Sequence, residues 1–205
     1  MSLDETTRAG VRAAITLAET VPWDELTLAA IAEAAGLGLK DFHAIADKDE
    51  ISRSVEAWLD EAMSEGCLDD EETARSRLFD VLMMRFDAME AHRDGVLSFL
   101  RWRDRSLAGL ALRVKARAET ARWALACAGL DKAGRLPRGV RLAGLGWAIA
   151  QAERAWRQET SPDLTRTMAA LDGELIKAEE RAGWLTGSWR RPTQATSEDT
   201  DEDET

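Results

Sequence analysis

What most restricts this chain is how little interrupts it. Only four prolines occur in 205 residues, and the stretches between them are dominated by Ala, Leu, Glu and Arg. Tyrosine is absent, and the β-branched and aromatic runs that strands favour are missing. Pro22, Pro137 and Pro162 punctuate helical stretches, and Pro192 opens a polar tail. The pattern predicts an all-α fold, without repeats, large enough for a substantial core.

Apolar spacing of three and four places the helices. The first covers about Asp4 to Thr20, with Val11, Ile15 and Ala18 on one face. Val21-Pro22-Trp23 ends it. A short helix follows from Thr27, whose hydroxyl can cap it, to Ala35, and Gly36 closes that helix. A third is expected over Leu39–Ala46. Asp47 caps a fourth over about Asp49–Glu65, with Ile51, Val55, Trp58 and Leu59 inward. After an acidic loop at Leu68–Glu72, helices are expected over Ala74–Ala91, His92–Leu100 running into Arg101–Leu112, and Lys115–Ala128. A loop marked by Gly129, Gly134, Pro137 and Gly139 precedes two long helices, Val140–Glu159 and one opening at Ser161-Pro162-Asp163.

The net charge is −11, which excludes a generally basic nucleic-acid coat but not one local basic face. Residues 1–100 hold 9 basic and 22 acidic side chains, residues 101–141 hold 11 and 3, and residues 142–205 hold 7 and 13. The tail after Ala195, with Glu198, Asp199, Asp201, Glu202, Asp203 and Glu204, cannot bury a core. It reads as a solubilising tail, or as a decoy for the basic stretch. The basic stretch, interleaved with Trp102, Leu107, Leu110, Leu112 and Trp123, suits either solvated helix faces or an anionic membrane surface. No apolar run is long enough to span a membrane, and Met1–Ala9 lacks the apolar core of a signal peptide. Cys67 and Cys127 are expected as free thiols in a reducing cytoplasm.

The stretch Trp23 to Glu50, a short helix, a Gly36-Leu37-Gly38 turn and another short helix, is a helix-turn-helix pattern. Trp23-Asp24-Glu25-Leu26-Thr27-Leu28-Ala29-Ala30-Ile31-Ala32-Glu33-Ala34-Ala35-Gly36-Leu37, with Lys48 after it, resembles the N-terminal motif of TetR-family transcriptional regulators. Near the other end, Trp156, Ser161-Pro162-Asp163-Leu164 and Thr167-Met168-Ala169-Ala170-Leu171-Asp172 resemble that family's closing helices. The resemblance implies about nine helices: a DNA-binding head over residues 1–48, a ligand-sensing and dimerising body over 49–186, and a tail over 187–205. It implies a cytoplasmic regulator, and DNA contact through Thr27, Gly38, Leu39, Lys40, His43 and Lys48. Lys40 and His43 would lie in the groove, with Thr27 and Lys48 near phosphates. The run Phe42-His43-Ala44-Ile45-Ala46-Asp47-Lys48 departs from the family: it is one residue short, and Ile45 or Ala46 stands where Phe is usual. Over Asp24–Ala46, Asp24, Glu25, Glu33 and Asp41 face one base, Lys40, the wrong sign for phosphate.

That sign favours a second resemblance. Arg75-Ser76-Arg77-Leu78 and Ala91-His92-Arg93 are similar to the ubiquinone-biosynthesis lipid-binding family, which implies a TetR-fold lipid or isoprenoid carrier without DNA.

In the body, Leu82, Phe86, Met89, Phe99, Trp102 and Trp123 are candidates to line a pocket for a small apolar ligand, or else to form plain core. Leu164, Met168, Leu171 and Leu175, with Trp147, Ala148, Ala152 and Ala155, form an apolar seam that suits a four-helix homodimer contact, or packing within one chain. His43 and His92 lack partners at metal-ligand spacing, and nothing pairs a nucleophile with a base. Neither a cofactor nor catalysis is therefore expected.

Overall fold

A computed structural model describes residues 3–65, 72–132 and 136–186. They form nine α-helices and no strand: α1 (Glu5–Leu17), α2 (Leu28–Ala34), α3 (Leu39–Phe42), α4 (Lys48–Glu61), α5 (Ala74–Ala91), α6 (Arg93–Arg103), α7 (Leu107–Cys127), α8 (Arg138–Trp156) and α9 (Thr165–Thr186). Single 3-10 turns lie at Trp23–Glu25 and Ala62–Ser64. The all-α expectation is met. Cys67, Gly134, most of the acidic loop at 68–72 and the tail at 187–205 lie outside the described residues.

The helices begin where side chains can take up free amides. Asp4, Thr27, Asp47, Thr73 and Ser106 accept from the backbone N–H of Thr7, Ala30, Glu50, Ser76 and Gly109 at 2.7–3.2 Å. α1–α3 form a head that packs on α4, and α5–α9 build the body. One apolar core runs through both, from Val11, Ile15, Ile31 and Phe42 to Leu82, Phe86, Val96 and Phe99.

Two devices lock head to body. Gly95 of α6 lies so close to α1 that a Cβ there would fall 2.0 Å from the Ile15 carbonyl oxygen. Trp23, 1% exposed, meets the Phe99 ring edge to face with centroids 4.9 Å apart. Its indole N–H donates to Ser52 Oγ at 3.2 Å, and its backbone N–H donates to Ser98 Oγ at 3.2 Å.

The body's interior is charged as well as apolar. Arg85 and Arg103 are buried beside Glu56, Asp60 and Glu153. Arg85 donates to Asp60 Oδ1 at 2.7 Å and pairs with Glu56, which also takes Arg103. Glu153 on α8 receives Arg117 at 2.8 Å and Arg157 at 2.6 Å, with Arg103 at 3.5 Å. Thr120 donates to Asp60 at 2.8 Å. The basic stretch 101–141 is therefore not one solvated face. Arg103 is buried, and Arg113, Arg117 and Arg141 are half-buried and bound to Asp104, Glu153 and the Leu130 carbonyl.

Three boundaries differ from the sequence reading. α3 stops at Phe42 rather than Ala46: Ala44 turns left-handed (φ 64°), and the amides of Ile45 and Ala46 both return to the Phe42 carbonyl. α6 and α7 break at Asp104–Ser106, not near Arg113, because Ser106 caps Gly109 and only glycine fits there; a Cβ would lie 1.7 Å from the Arg103 carbonyl oxygen. α9 starts at Thr165, after Leu164 at φ 53°, and its Thr167 amide is taken by the Glu159 carboxylate at 3.0 Å instead of by Ser161.

Gly95→Ala is expected to lower stability by about 1–3 kcal/mol in urea unfolding, through overpacking. Alanine otherwise favours a helix interior by about 1 kcal/mol over glycine, so a gain would show that α1 and α6 do not touch as described. Burial works against the charged form of Glu153, but Arg117, Arg103 and Arg157 outweigh it and hold the carboxyl at about 2. A folded value below the ordinary one means that its stabilisation is present above 4.5 and is lost as pH falls from there toward about 2. Glu153→Gln is expected to lower the melting temperature at neutral pH and to flatten its fall through that window; an unchanged slope would exclude the ion cluster as the cause.

Candidate nucleic-acid interface

Thr27, Gly38, Leu39, Lys40 and His43 are all exposed on the head. The turn between α2 and α3 is fixed by Gly36 at φ 70° and by the Leu37 amide donating to the Ala32 carbonyl at 2.9 Å. α3 is a single turn, held at its start by Asp41 Oδ2, which accepts from the Gly38 amide at 2.8 Å. His43 follows as the residue that ends the helix. Phe42 is 2% exposed and anchors the turn beside Gly10.

The cations of the head are mostly engaged. Lys48 is half-buried, and its Nζ donates to the Asp24 carbonyl at 3.0 Å. Burial pulls its pKa below the usual lysine value, against the pull of Asp24 and Asp49. It braces α4 to the Trp23–Glu25 turn. Arg8 binds Glu61 at 2.9 Å, and Arg53 binds Glu50 at 3.0 Å. Among the described residues, Lys40 and Arg12 are the head's cations whose side chains have neither an ion-pair nor a hydrogen-bond partner, while Lys48 is held by a backbone carbonyl. Thr27 is occupied as the cap of α2. Beside Lys40 the tip is apolar: Leu39 is 53% exposed and Ile45 48%. Leu39 is among the expected DNA contacts; Ile45 is not.

Leu82, Phe86, Met89 and Phe99 are buried core, and Trp123 is exposed on α7. Trp102 does line a cleft, between the Trp23–Glu25 turn and α6. A separate groove of about 420 Å³ lies between α5 and α9, where Phe79 and Met168 sit with Arg75 and Asp172. His92, between α5 and α6, lies over the Trp58 ring at 5.4 Å. No group of three or more His, Cys, Asp or Glu able to hold a metal is found among the described residues.

The proposed seam is divided. Ala148, Ala152, Leu164, Leu171 and Leu175 are buried within the chain, where α9 packs on α8 and α5, and have no surface left for a second chain. Ala155 and Met168 are half-buried. Trp147 is 57% exposed, its indole N–H on Glu174 at 3.1 Å, and Val140 and Ile176 are exposed on the same two helices. A Cβ on Gly144, Gly146 or Gly173 would meet nothing within 4 Å among the described residues.

No protein-family model matches the chain, and no curated protein does. Among solved structures, it is similar to a TetR transcriptional regulator from Nitrosomonas europaea ATCC 19718, with a TM-score of 0.68 and 20% identity over 89% of this chain and all of that one. It is also similar to a TetR transcriptional regulator from Rhodococcus sp. RHA1, with a TM-score of 0.58 and 16% identity over 85% of this chain and 98% of that one. The fold is that of these regulators.

Proposed function

We propose that this chain is a TetR-type transcriptional regulator, a homodimer whose heads meet double-stranded DNA and whose body takes a small apolar ligand. The observation that carries the reading is the head itself. Two short helices, α2 and α3, cross at the Gly36 turn and leave Gly38, Leu39, Lys40 and His43 outward, on a fold shared with two such regulators. The α5–α9 groove, with Phe79 and Met168, is the better candidate for the ligand, because the central apolar residues are already packed.

With two unpaired cations per head, binding would rest on few phosphate contacts. Each contributes about −0.9 to the slope of log affinity against log salt. Gel shifts against the gene's own upstream DNA at about 50 mM salt are expected to show retardation with a shallow slope, near −4 for a dimer. Lys40→Ala is expected to flatten the slope by about 2. Absence of retardation at that salt would remove the DNA reading.

One observation favours a second reading. An acidic head with Lys48 engaged and Leu39 and Ile45 exposed also suits a TetR-fold binding module that does without DNA. The basic stretch gives that module less of an anionic membrane surface than its charge suggests, since four of its arginines turn inward. No helix among the described residues is long and apolar enough to cross a membrane.

The homodimer face we propose is the outer side of α8 and α9, with Trp147 at its centre and the open glycines permitting close approach. Interior glycines cost a helix about 1 kcal/mol each, and no neighbour among the described residues accounts for them. Trp147→Glu is expected to convert a dimer to a monomer in sedimentation. A variant still dimeric would place the contact elsewhere.

A further inference from the structure

The seam between head and body holds a cleft of about 330 Å³, walled by the end of α1, the Trp23–Glu25 turn and α6. Its walls carry both signs of charge: two acids toward one end, and two arginines with Asp24 toward the other. Glu19 and Asp94 lie toward the start of α6; Glu19 stands 3.9 Å from the ring of His92, the residue just before that helix. Arg101 and Arg105 lie toward its finish, where Arg105 stands 3.7 Å from Asp24. Asp94 and Arg101 share the cleft side of α6, and at 1.5 Å rise per residue they are separated by about 10 Å along the helix. Trp102, half-buried, supplies an apolar wall at the arginine end.

We propose that this cleft binds a small zwitterion, its ammonium at Glu19 and Asp94, its carboxylate at Arg101 and Arg105, and its apolar part against Trp102. Three properties carry this. Asp94 and Arg101 are exposed, and neither has an ion-pair partner among the described residues, so both ends are open to a ligand. Arg105 holds Asp24 too loosely for a hydrogen bond, so a bidentate carboxylate competes for it. The volume lies at the small end of ligand sites. A purely cationic or purely anionic molecule would leave one end of the cleft facing water or its own charge.

The cleft also touches the brace of the head. The Trp23–Glu25 turn holds Lys48 through the Asp24 carbonyl and Ser52 through the Trp23 indole, both at the start of α4. Resting on the regulator reading, a ligand here would shift α4 and hence the two heads.

The test uses the full chain with three probes at matched ionic strength: 6-aminohexanoate, hexylamine and hexanoate. Binding is read by calorimetry and by tryptophan fluorescence, without DNA, so it stands apart from the regulator reading. The zwitterion is expected to bind at least about tenfold more tightly than either single-charge probe. Asp94→Asn and Arg101→Gln are each expected to weaken it about tenfold, with melting temperature unchanged. Equal affinity for all three probes, no binding of the zwitterion at tens of millimolar, or full binding by both variants would overturn the proposal. Gel shifts with and without 6-aminohexanoate then test the coupling alone.

Discussion

The arginine–carboxylate cluster inside the body decides most of what this fold can be. Five arginines, 85, 103, 113, 117 and 157, meet Glu56, Asp60, Asp104 and Glu153, and the pairs join α4, α5, α6, α7 and α8 or the residues that follow them. Each buried ion left alone would cost several kcal/mol. An apolar face tolerates small slides between helices, whereas a guanidinium set on two carboxylates does not. Glu56 and Asp60 lie one helical turn apart on α4, so the cluster fixes the register of the helix that leads out of the head. Burial pushes the Asp60 carboxyl above its ordinary value against the pull of Arg85, while three arginines hold Glu153 down at about 2. The cluster is therefore not a row of equivalent pairs: Glu153 is its firmly ionised centre.

A charged, closely packed centre also leaves concave surface to the edges of the body. With Leu82, Phe86, Met89 and Phe99 closed over by neighbours and the guanidinium groups beside them, the described concavities lie at the body's edges. One opens between α5 and α9, the other between head and body. Their linings differ accordingly. Phe79 and Met168 make the first partly apolar, while the second mixes exposed charged residues with the apolar faces of Trp23 and Trp102 across a joint.

Much of the fold was legible in the sequence because it is set by local chemistry. Thr27 and Asp47 cap as expected, Gly36 closes α2, and the apolar faces of α1 and α4 turn inward where spacing of three and four puts them. What was not legible depends on partners distant in sequence. Nothing about Arg103 or Arg117 alone distinguishes a solvated arginine from one aimed at Glu56 or Glu153; only the packing of α6 and α7 on α4 and α8 does. The seam on α9 was read correctly as apolar, but periodicity cannot say which chain covers it. Leu171 and Leu175 are buried within the same chain, where α9 packs on both α8 and α5, leaving Trp147 outside. Of the six expected DNA-facing residues, five are exposed, and the sixth, Lys48, is turned to a backbone carbonyl that no sequence rule identifies.

The head shows why its charge cannot simply be corrected by substitution. A one-turn helix has too few internal hydrogen bonds to hold itself, so α3 relies on Asp41 binding the Gly38 amide, and α4 relies on Asp47 binding that of Glu50. Asp41, one of the four acids counted against phosphate, is thus also a group that shapes the tip of the head, and Asp47 adds a further acid that the start of α4 needs. Lys48 secures the other side by bracing the turn, at the expense of its reach toward a ligand outside. A head built this way has little long-range attraction for a polyanion. Under the regulator reading, its selectivity must come from short-range fit of Leu39, Lys40 and His43, and its affinity must come from two heads acting together. That places the demand on the α8–α9 face, because a single head with two unpaired cations would hold DNA too weakly for a small shift between heads to matter.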